Sequence, residues 1–358
     1  MIRKQRAEPE ERSRREPEDA ESVGRFGTAG KAAVGLAAAA AAAYGVYLLG
    51  ASRTRRRPVT ELPNALGLRL EYVPWRGVHY AFYSRRGTGR PVVILHSINT
   101  VASAQEMRPV VQHFVRRTER SVFAPEWLGF GHSDRPEIAY TPELLEDQLE
   151  HFLEKVVGAA GGVDLVGLSL GATYAAEVAR RRPDLVHSLA AIEPAGLGEE
   201  PAEIPRAWSR LLFTLPGVQR AFYDRLTTRE ALHDFARKNL FSAEFGVPDE
   251  YVSYGAETAR MEGAARPLDD FLSGRLFPAH GGESFRRLRQ PLLVIHGTVM
   301  ERRMESFTTL PGMEARENVT LLPLPTGALP HWERPAEVWG AISDFQNRPA
   351  REPATSSG

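Results

Sequence analysis

Short apolar runs without helical periodicity recur along the middle of the chain. Each run is four or five residues long and is bounded by polar residues, Gly or Pro. Such a run is typical of a strand that is buried on both faces of a sheet. Six strands are predicted in this way, at residues 91–95, 121–125, 163–166, 189–192, 291–295 and 319–322.

Amphipathic stretches separate most of these runs. Residues 104–116 and 142–157 carry apolar side chains at the spacing of one helix face. Strands that alternate with helices favour an α/β fold, with a mostly parallel sheet and helices on both of its faces. Ligands of such sheets bind beyond the carboxyl ends of the strands, so we expect the functional residues there.

One serine lies at such a strand end. Gly167-Leu168-Ser169-Leu170-Gly171 follows the run 163–166 and precedes the helix-like segment 172–182. A serine with a glycine two residues away on each side, at a strand-to-helix turn, is the pattern of a nucleophile elbow. The glycines permit a tight turn that projects the hydroxyl above the sheet. Ser169 is therefore the candidate nucleophile.

Four motifs in order resemble the α/β-hydrolase family, and the resemblance runs from about Leu68 to Phe345. The motifs are His96-Ser97-Ile98-Asn99, residues 129–136, the Ser169 elbow and residues 329–338. This resemblance implies a core at residues 67–198 and 284–348, with a helical cap at 199–283. It also implies an oxyanion hole formed by the backbone N–H groups of Ile98 and Leu170.

The chain departs from the family pattern at the acid that orients the catalytic histidine. Most members carry an aspartate three residues after the glycine that ends the penultimate strand, and here Met300 stands at that offset from Gly297. Glu193, at the end of the run 189–192, is the first candidate for the acid, because some similar lipases and dehalogenases place it there. Glu301 is the alternative.

A second departure concerns the histidine itself. Family sequences usually read Gly-His at the start of the last motif, whereas this chain has Gly327-Ala328 and reaches His331 three residues later. We predict His331 as the general base, with a structural role as the alternative, and His296 is held in reserve.

A serine nucleophile favours acyl transfer to water. The predicted function is a serine hydrolase that cleaves a carboxylester, thioester or lactone through an acyl-enzyme on Ser169. The alternatives are a pseudoenzyme or binding protein with a degenerate triad, and an acyltransferase or cofactor-free peroxidase. Apolar residues in the cap segment predict a small, lipophilic substrate.

The composition limits the classes of partner and cofactor that the sequence predicts. The chain has 45 Lys and Arg against 45 Asp and Glu, scattered through the fold, so no nucleic-acid surface is indicated. It has no cysteine, which excludes disulfides, zinc–thiolate sites and a thiol nucleophile. No phosphate loop, dinucleotide fingerprint or metal-ligand cluster is found, so no cofactor and no metal are predicted.

The termini differ from the core. Residues 1–30 are rich in charge and, like 349–358, are predicted to be disordered. Residues 31–52 are apolar and alanine-rich, and we expect a single-pass transmembrane helix, or else a helix lying on a surface. Residues 53–66 are interpreted as a linker. The arginines within 53–57 favour a cytoplasmic hydrolase domain by the positive-inside tendency, with the opposite orientation left open.

Overall fold

Eight strands form a single sheet in the computed structural model, which describes residues 61–158, 160–196, 218–299 and 312–347. Their order across the sheet is β1-β2-β4-β3-β5-β6-β7-β8. The strands are β1 (Arg69–Trp75), β2 (Val78–Arg85), β3 (Val92–Leu95), β4 (Val122–Pro125), β5 (Val163–Leu168), β6 (Val186–Ile192), β7 (Leu292–Gly297) and β8 (Val319–Leu324).

The six apolar runs become β3 to β8, and these strands pair in parallel. The predicted α/β fold with a mostly parallel sheet is therefore confirmed. The sequence pattern had not indicated β1 and β2, which form an antiparallel hairpin at the sheet edge, with β2 antiparallel to β4. Their connection is Arg76-Gly77, both at positive φ, as a tight hairpin turn requires.

Helices connect the strands. They are α1 (Arg108–Arg117), α2 (Pro142–Phe152), α3 (Leu170–Arg181), α4 (Val218–Leu226), α5 (Arg229–Asn239), α6 (Asp249–Thr258), α7 (Leu268–Leu272), α8 (Gly281–Arg287), α9 (Pro330–Glu333) and α10 (Pro335–Gln346). A single 3₁₀ turn, Ala104–Met107, leads into α1, and a π-helical turn, Leu153–Val157, ends α2. The two amphipathic stretches named above thus form helices, as expected.

The core lies on both faces of the sheet, because alternate strand residues point to opposite sides. Leu165 and Leu189 pack on one face with side chains from α2 and α3. Val166 and Ala190 pack on the other face with α1 and α10. Burying a Val or Leu side chain contributes roughly 1.5–3 kcal/mol, so these faces fix the register that brings the strand ends to one edge.

A helical segment is inserted between β6 and β7, where the cap is expected. Its described part contains α4 to α7. The Thr228 hydroxyl caps α5 by accepting a hydrogen bond from the N–H of Ala231 at 3.1 Å. Residues 197–217, most of them in the predicted cap, lie outside the described residues.

The prediction of a single-pass membrane anchor is corrected. Throughout residues 61–158, 160–196, 218–299 and 312–347, no helix is long and apolar enough to cross a bilayer. The anchor, the membrane as a partner and the membrane location are withdrawn accordingly. The segment 31–52 on which they depended, like the charged tails 1–30 and 349–358, lies outside the described residues. Of the predicted linker 53–66, the described residues include Leu62 and Leu66, and both are buried.

Candidate active site

Ser169 lies in a strained turn at the end of β5. Its φ and ψ are 53° and −126°, a conformation that non-glycine residues rarely adopt and that is characteristic of functional turns. Its N–H donates to the carbonyl oxygen of Ile192 at 2.9 Å, so the turn is tied to the neighbouring strand. The side chain is half-buried, and its hydroxyl has no hydrogen-bond partner among the described residues.

Both flanking glycines are required by close backbone contacts. A Cβ atom at Gly167 would lie 2.6 Å from the Cα atom of Ala172, and one at Gly171 would collide with the carbonyl oxygen of His96. Only glycine fits at these two positions, because backbone atoms have no room to move aside. The turn therefore has the geometry expected of a nucleophile elbow, with α3 beginning at Leu170.

The two predicted oxyanion donors are available. In the part of the chain that the structure describes, neither the N–H of Ile98 nor that of Leu170 has a protein acceptor. Leu170 is the first residue of α3, where the N–H groups point out of the helix and carry its positive end. Unused N–H groups at these positions are what an oxyanion needs.

Glu193 directly follows β6, the strand beside β5. Like Ser169, it has a positive φ, here 44°. The third non-glycine residue with a positive φ in the described ranges is Arg76, in the β1–β2 turn. Its N–H donates to the carbonyl oxygen of Ile295 at 2.9 Å, and its carboxylate accepts a hydrogen bond from the N–H of Gly297. Ser169 and Glu193 therefore stand at neighbouring strand ends. Met300 and Glu301 lie outside the described residues.

His331 lies in α9 and is completely buried. Its Nε2–H donates to the backbone carbonyl oxygen of Glu106 at 2.9 Å, and its Nδ1 has no hydrogen-bond partner. Burial lowers the pKa of His331 to about 4, so the ring is neutral at pH 7. No hydrogen bond joins His331 to Ser169 or to Glu193 in the described residues.

The position of the usual family histidine is occupied by Ala328, whose methyl group is half-buried. The preceding Gly327 packs against the end of β7, because a Cβ atom at Gly297 would collide with the carbonyl oxygen of Gly327. Gly297 is the residue whose N–H binds Glu193. The structure therefore brings the loop that normally carries the histidine next to the candidate acid, without an imidazole on it.

The sequence analysis did not single out one residue that contacts the predicted oxyanion turn. Glu106 is 4% exposed and its carboxylate binds Ser97 and Asn99, on either side of Ile98. Its only signal in the sequence was a carboxylate inside an amphipathic stretch close to the oxyanion motif.

A second pair of buried side chains, His96 and Glu126, lies beside the same turn. The Nε2 atom of His96 lies 3.1 Å from Oε2 of Glu126, and both side chains are inaccessible to solvent. The Nδ1–H of His96 donates to the carbonyl oxygen of Ser97 at 2.7 Å. Glu126 Oε2 also accepts the N–H of Ala104 at 2.9 Å. His96 thus fixes backbone geometry at the oxyanion turn.

An open cavity of about 380 Å³ lies away from these residues. It is bordered by α1, by the loop after α5 and by the start of α10, and its lining includes Arg108, His113 and Phe245. None of the candidate catalytic residues contributes to it. The strained turn, the unused N–H groups and the adjacent carboxylate all lie at the carboxyl ends of β3, β5 and β6. This region, and not the groove, is therefore the candidate active site.

Comparison with known proteins agrees with the fold. A model of the alpha/beta hydrolase family matches residues 92–341, which is more than half of the chain. The solved structure of a serine hydrolase involved in carbazole degradation superposes with a TM-score of 0.61 at 22% identity, covering 78% of this chain and 98% of that one. At this identity the match supports the fold alone.

Two curated relatives are hydrolases of small molecules. The chain is 27% identical over 216 residues to the 2-hydroxy-6-oxo-6-(2'-aminophenyl)hexa-2,4-dienoic acid hydrolase of Metapseudomonas resinovorans, covering 60% of this chain and 69% of the relative. It is 31% identical over 211 residues to the 2-(acetamidomethylene)succinate hydrolase of Mesorhizobium japonicum, covering 58% and 66% respectively. Together with the family match, these findings show that the chain belongs to the alpha/beta-hydrolase family.

Proposed function

We propose that the protein is a serine hydrolase that forms an acyl-enzyme on Ser169. The observation that carries this proposal is the strained Ser169 turn, whose hydroxyl and two neighbouring N–H groups have no protein partners in the described residues. The hydroxyl would attack a carbonyl carbon, and the N–H groups of Ile98 and Leu170 would stabilise the oxyanion. Each such donor contributes about 3 kcal/mol in a site that excludes water.

The chain departs from the family pattern at both the acid and the base of the triad. We retain His331 as the proposed base and Glu193 as the proposed acid, with Glu301 as the alternative acid. A neutral imidazole can accept a proton at pH 7, but the Nε2–H of His331 is donated to Glu106. The α9 segment must therefore shift before Nε2 can face Ser169. In the arrangement described here, His331 instead holds Glu106 in place.

The substrate class follows from the nucleophile and the relatives. Both relatives' names describe small acids with a carbonyl group, an oxo group in one and an acetamido group in the other. We propose a small acyl compound, with a carboxylester, thioester or lactone bond and a lipophilic acyl part. The same site would act as an acyltransferase if an alcohol replaced water as the acceptor, or as a cofactor-free peroxidase with peroxide.

A fluorophosphonate probe tests the proposal directly, because it reacts covalently with an activated serine in an oxyanion hole. We expect labelling of the wild type, mapped to the peptide that contains Ser169, and no labelling of Ser169→Ala. The matched control is Ser253→Ala on α6, whose hydroxyl donates to the carbonyl oxygen of Asp249 and which should label like the wild type. Labelling that persists in Ser169→Ala would contradict the assignment of the nucleophile.

A binding protein without turnover is the second candidate. It is favoured by Ala328 at the usual histidine position and by the use of the His331 Nε2–H on Glu106. This candidate predicts that the folded wild type does not label at any pH between 5 and 9. The same probe experiment, with circular dichroism to establish folding, therefore separates the two functions.

A further inference from the structure

The turn that carries Ile98 is held by one buried carboxylate. Oε2 of Glu106 accepts the N–H of Ser97 at 3.0 Å and the hydroxyl of Ser97 at 2.7 Å. Oε1 of Glu106 accepts Nδ2 of Asn99 at 2.6 Å. A single side chain thus binds the residue before Ile98 and the residue after it.

The remaining bonds of the turn leave the N–H of Ile98 unused but fixed in direction. The carbonyl oxygen of Ser97 accepts the Nδ1–H of His96 at 2.7 Å. That carbonyl belongs to the same peptide unit as the N–H of Ile98, and in a trans peptide the two groups point in opposite directions. The N–H of Val101 donates to Oδ1 of Asn99 at 2.8 Å, which secures the other end of the turn.

Glu106 is itself held from a distant part of the chain. Its carbonyl oxygen accepts the Nε2–H of His331 at 2.9 Å and the Nε1–H of Trp332 at 2.7 Å. The hydroxyl of Tyr251, from α6 of the cap, also reaches Oε1 of Glu106 at 3.5 Å. Residues of α9 and of the cap therefore meet at Glu106, where α9 binds the backbone carbonyl and the cap reaches the carboxylate.

We propose that Glu106 is a positioning residue that aims the N–H of Ile98 at the oxyanion formed on the Ser169 substrate. This inference rests on the proposed function. Glu106 does not touch the reacting atoms, and it acts through Ser97 and Asn99. Loss of one oxyanion donor costs about 100- to 1000-fold in rate, so a misdirected donor should cost roughly 10- to 100-fold.

Glu106→Gln is the informative variant, because it keeps the shape but replaces one acceptor oxygen with an NH₂ group that faces donors. We expect faster hydrogen exchange at the amides of Ser97 and Val101, by about tenfold. We also expect the maximal rate of Ser169 phosphonylation to fall roughly 10- to 100-fold, with the probe's apparent binding constant unchanged. Glu250→Gln is the control, since Glu250 is an exposed carboxylate bound to Arg108 at 2.7 Å.

Ser97→Ala removes one of the donors and keeps Glu106, so it tests the same inference if Glu106→Gln does not fold. It should give smaller changes in the same direction. Unchanged amide exchange and an unchanged labelling rate in both folded variants would overturn the inference and leave the proposed function intact. A wild type that never labels would overturn the proposed function, and the exchange of Ser97 and Val101 would then still decide whether Glu106 holds the turn.

Discussion

Ala328→His is expected to raise the rate at which Ser169 reacts with a fluorophosphonate by about 100-fold, because the Nε2–H of His331 is bound to Glu106 in the wild type and a general base contributes 10²- to 10⁴-fold. The substitution restores an imidazole at the position where the family usually carries one. Gly327, the residue before it, packs against Gly297, and the N–H of Gly297 binds the Glu193 carboxylate. A histidine at 328 would thus stand beside the candidate acid. Ala328 itself is half-buried.

The rate constant for labelling is measured for the wild type, Ala328→His and two controls. Ala328→Gln adds a polar side chain of similar length without a base and should react like the wild type. The double variant Ser169→Ala/Ala328→His should not react, because the nucleophile is missing. If folded Ala328→His reacts no faster than Ala328→Gln, the loop does not bring residue 328 within reach of the Ser169 hydroxyl, and the expected gain in rate is wrong.

The sheet could be predicted because its central strands are buried on both faces. A strand of this kind must be apolar at nearly every position, and β3 to β7 follow that rule closely enough to be found in the sequence. β8 lies at the other side of the sheet and is only partly buried, but its apolar run 319–322 was still recognisable. The β1–β2 hairpin lies at the sheet edge, with both exposed and buried residues in each strand. Its pattern is therefore weaker, and the hairpin was missed.

The elbow could be predicted because it depends on local contacts. The position and partner of the His331 ring could not be predicted, because they depend on a distant part of the chain. The two glycines beside Ser169 are needed by contacts within the turn and with the adjacent His96 carbonyl, so the requirement is visible in five residues. The partner of His331 is Glu106, 225 positions away in the sequence. No pattern along the chain could indicate that the ring of His331 donates a hydrogen bond to that particular carbonyl group.

The membrane prediction illustrates a different limit. Alanine supplies helix propensity without much transfer energy, so a run of alanines is long enough to span a bilayer without being strongly apolar. The described residues contain no helix that fits such a span, and the segment that suggested it lies outside them. Length and lack of charge were therefore a weaker basis for a prediction than the two glycines that flank Ser169.

Acid is expected to destabilise the protein through His331. The pKa of His331 is lowered by burial from 6.5 to about 4 in the folded protein. Between these values the unfolded chain binds a proton that the folded chain does not, so stability is lost as the pH falls from about 6.5 to about 4. A difference of about 2.5 units at 1.36 kcal/mol each corresponds to about 3 kcal/mol of unfolding free energy. His113 has its pKa lowered by burial and by Arg117 and Arg116, and acts in the same direction.

His331→Gln isolates this effect, because the glutamine amide can still donate to the Glu106 carbonyl but does not titrate. The free energy of unfolding is measured by urea denaturation at pH 7 and at pH 4 for both proteins. His113 and the carboxylates contribute equally to the two proteins, so the wild type should lose about 3 kcal/mol more than His331→Gln over this range. Equal losses would mean that His331 takes up its proton near pH 6.5 in the folded state.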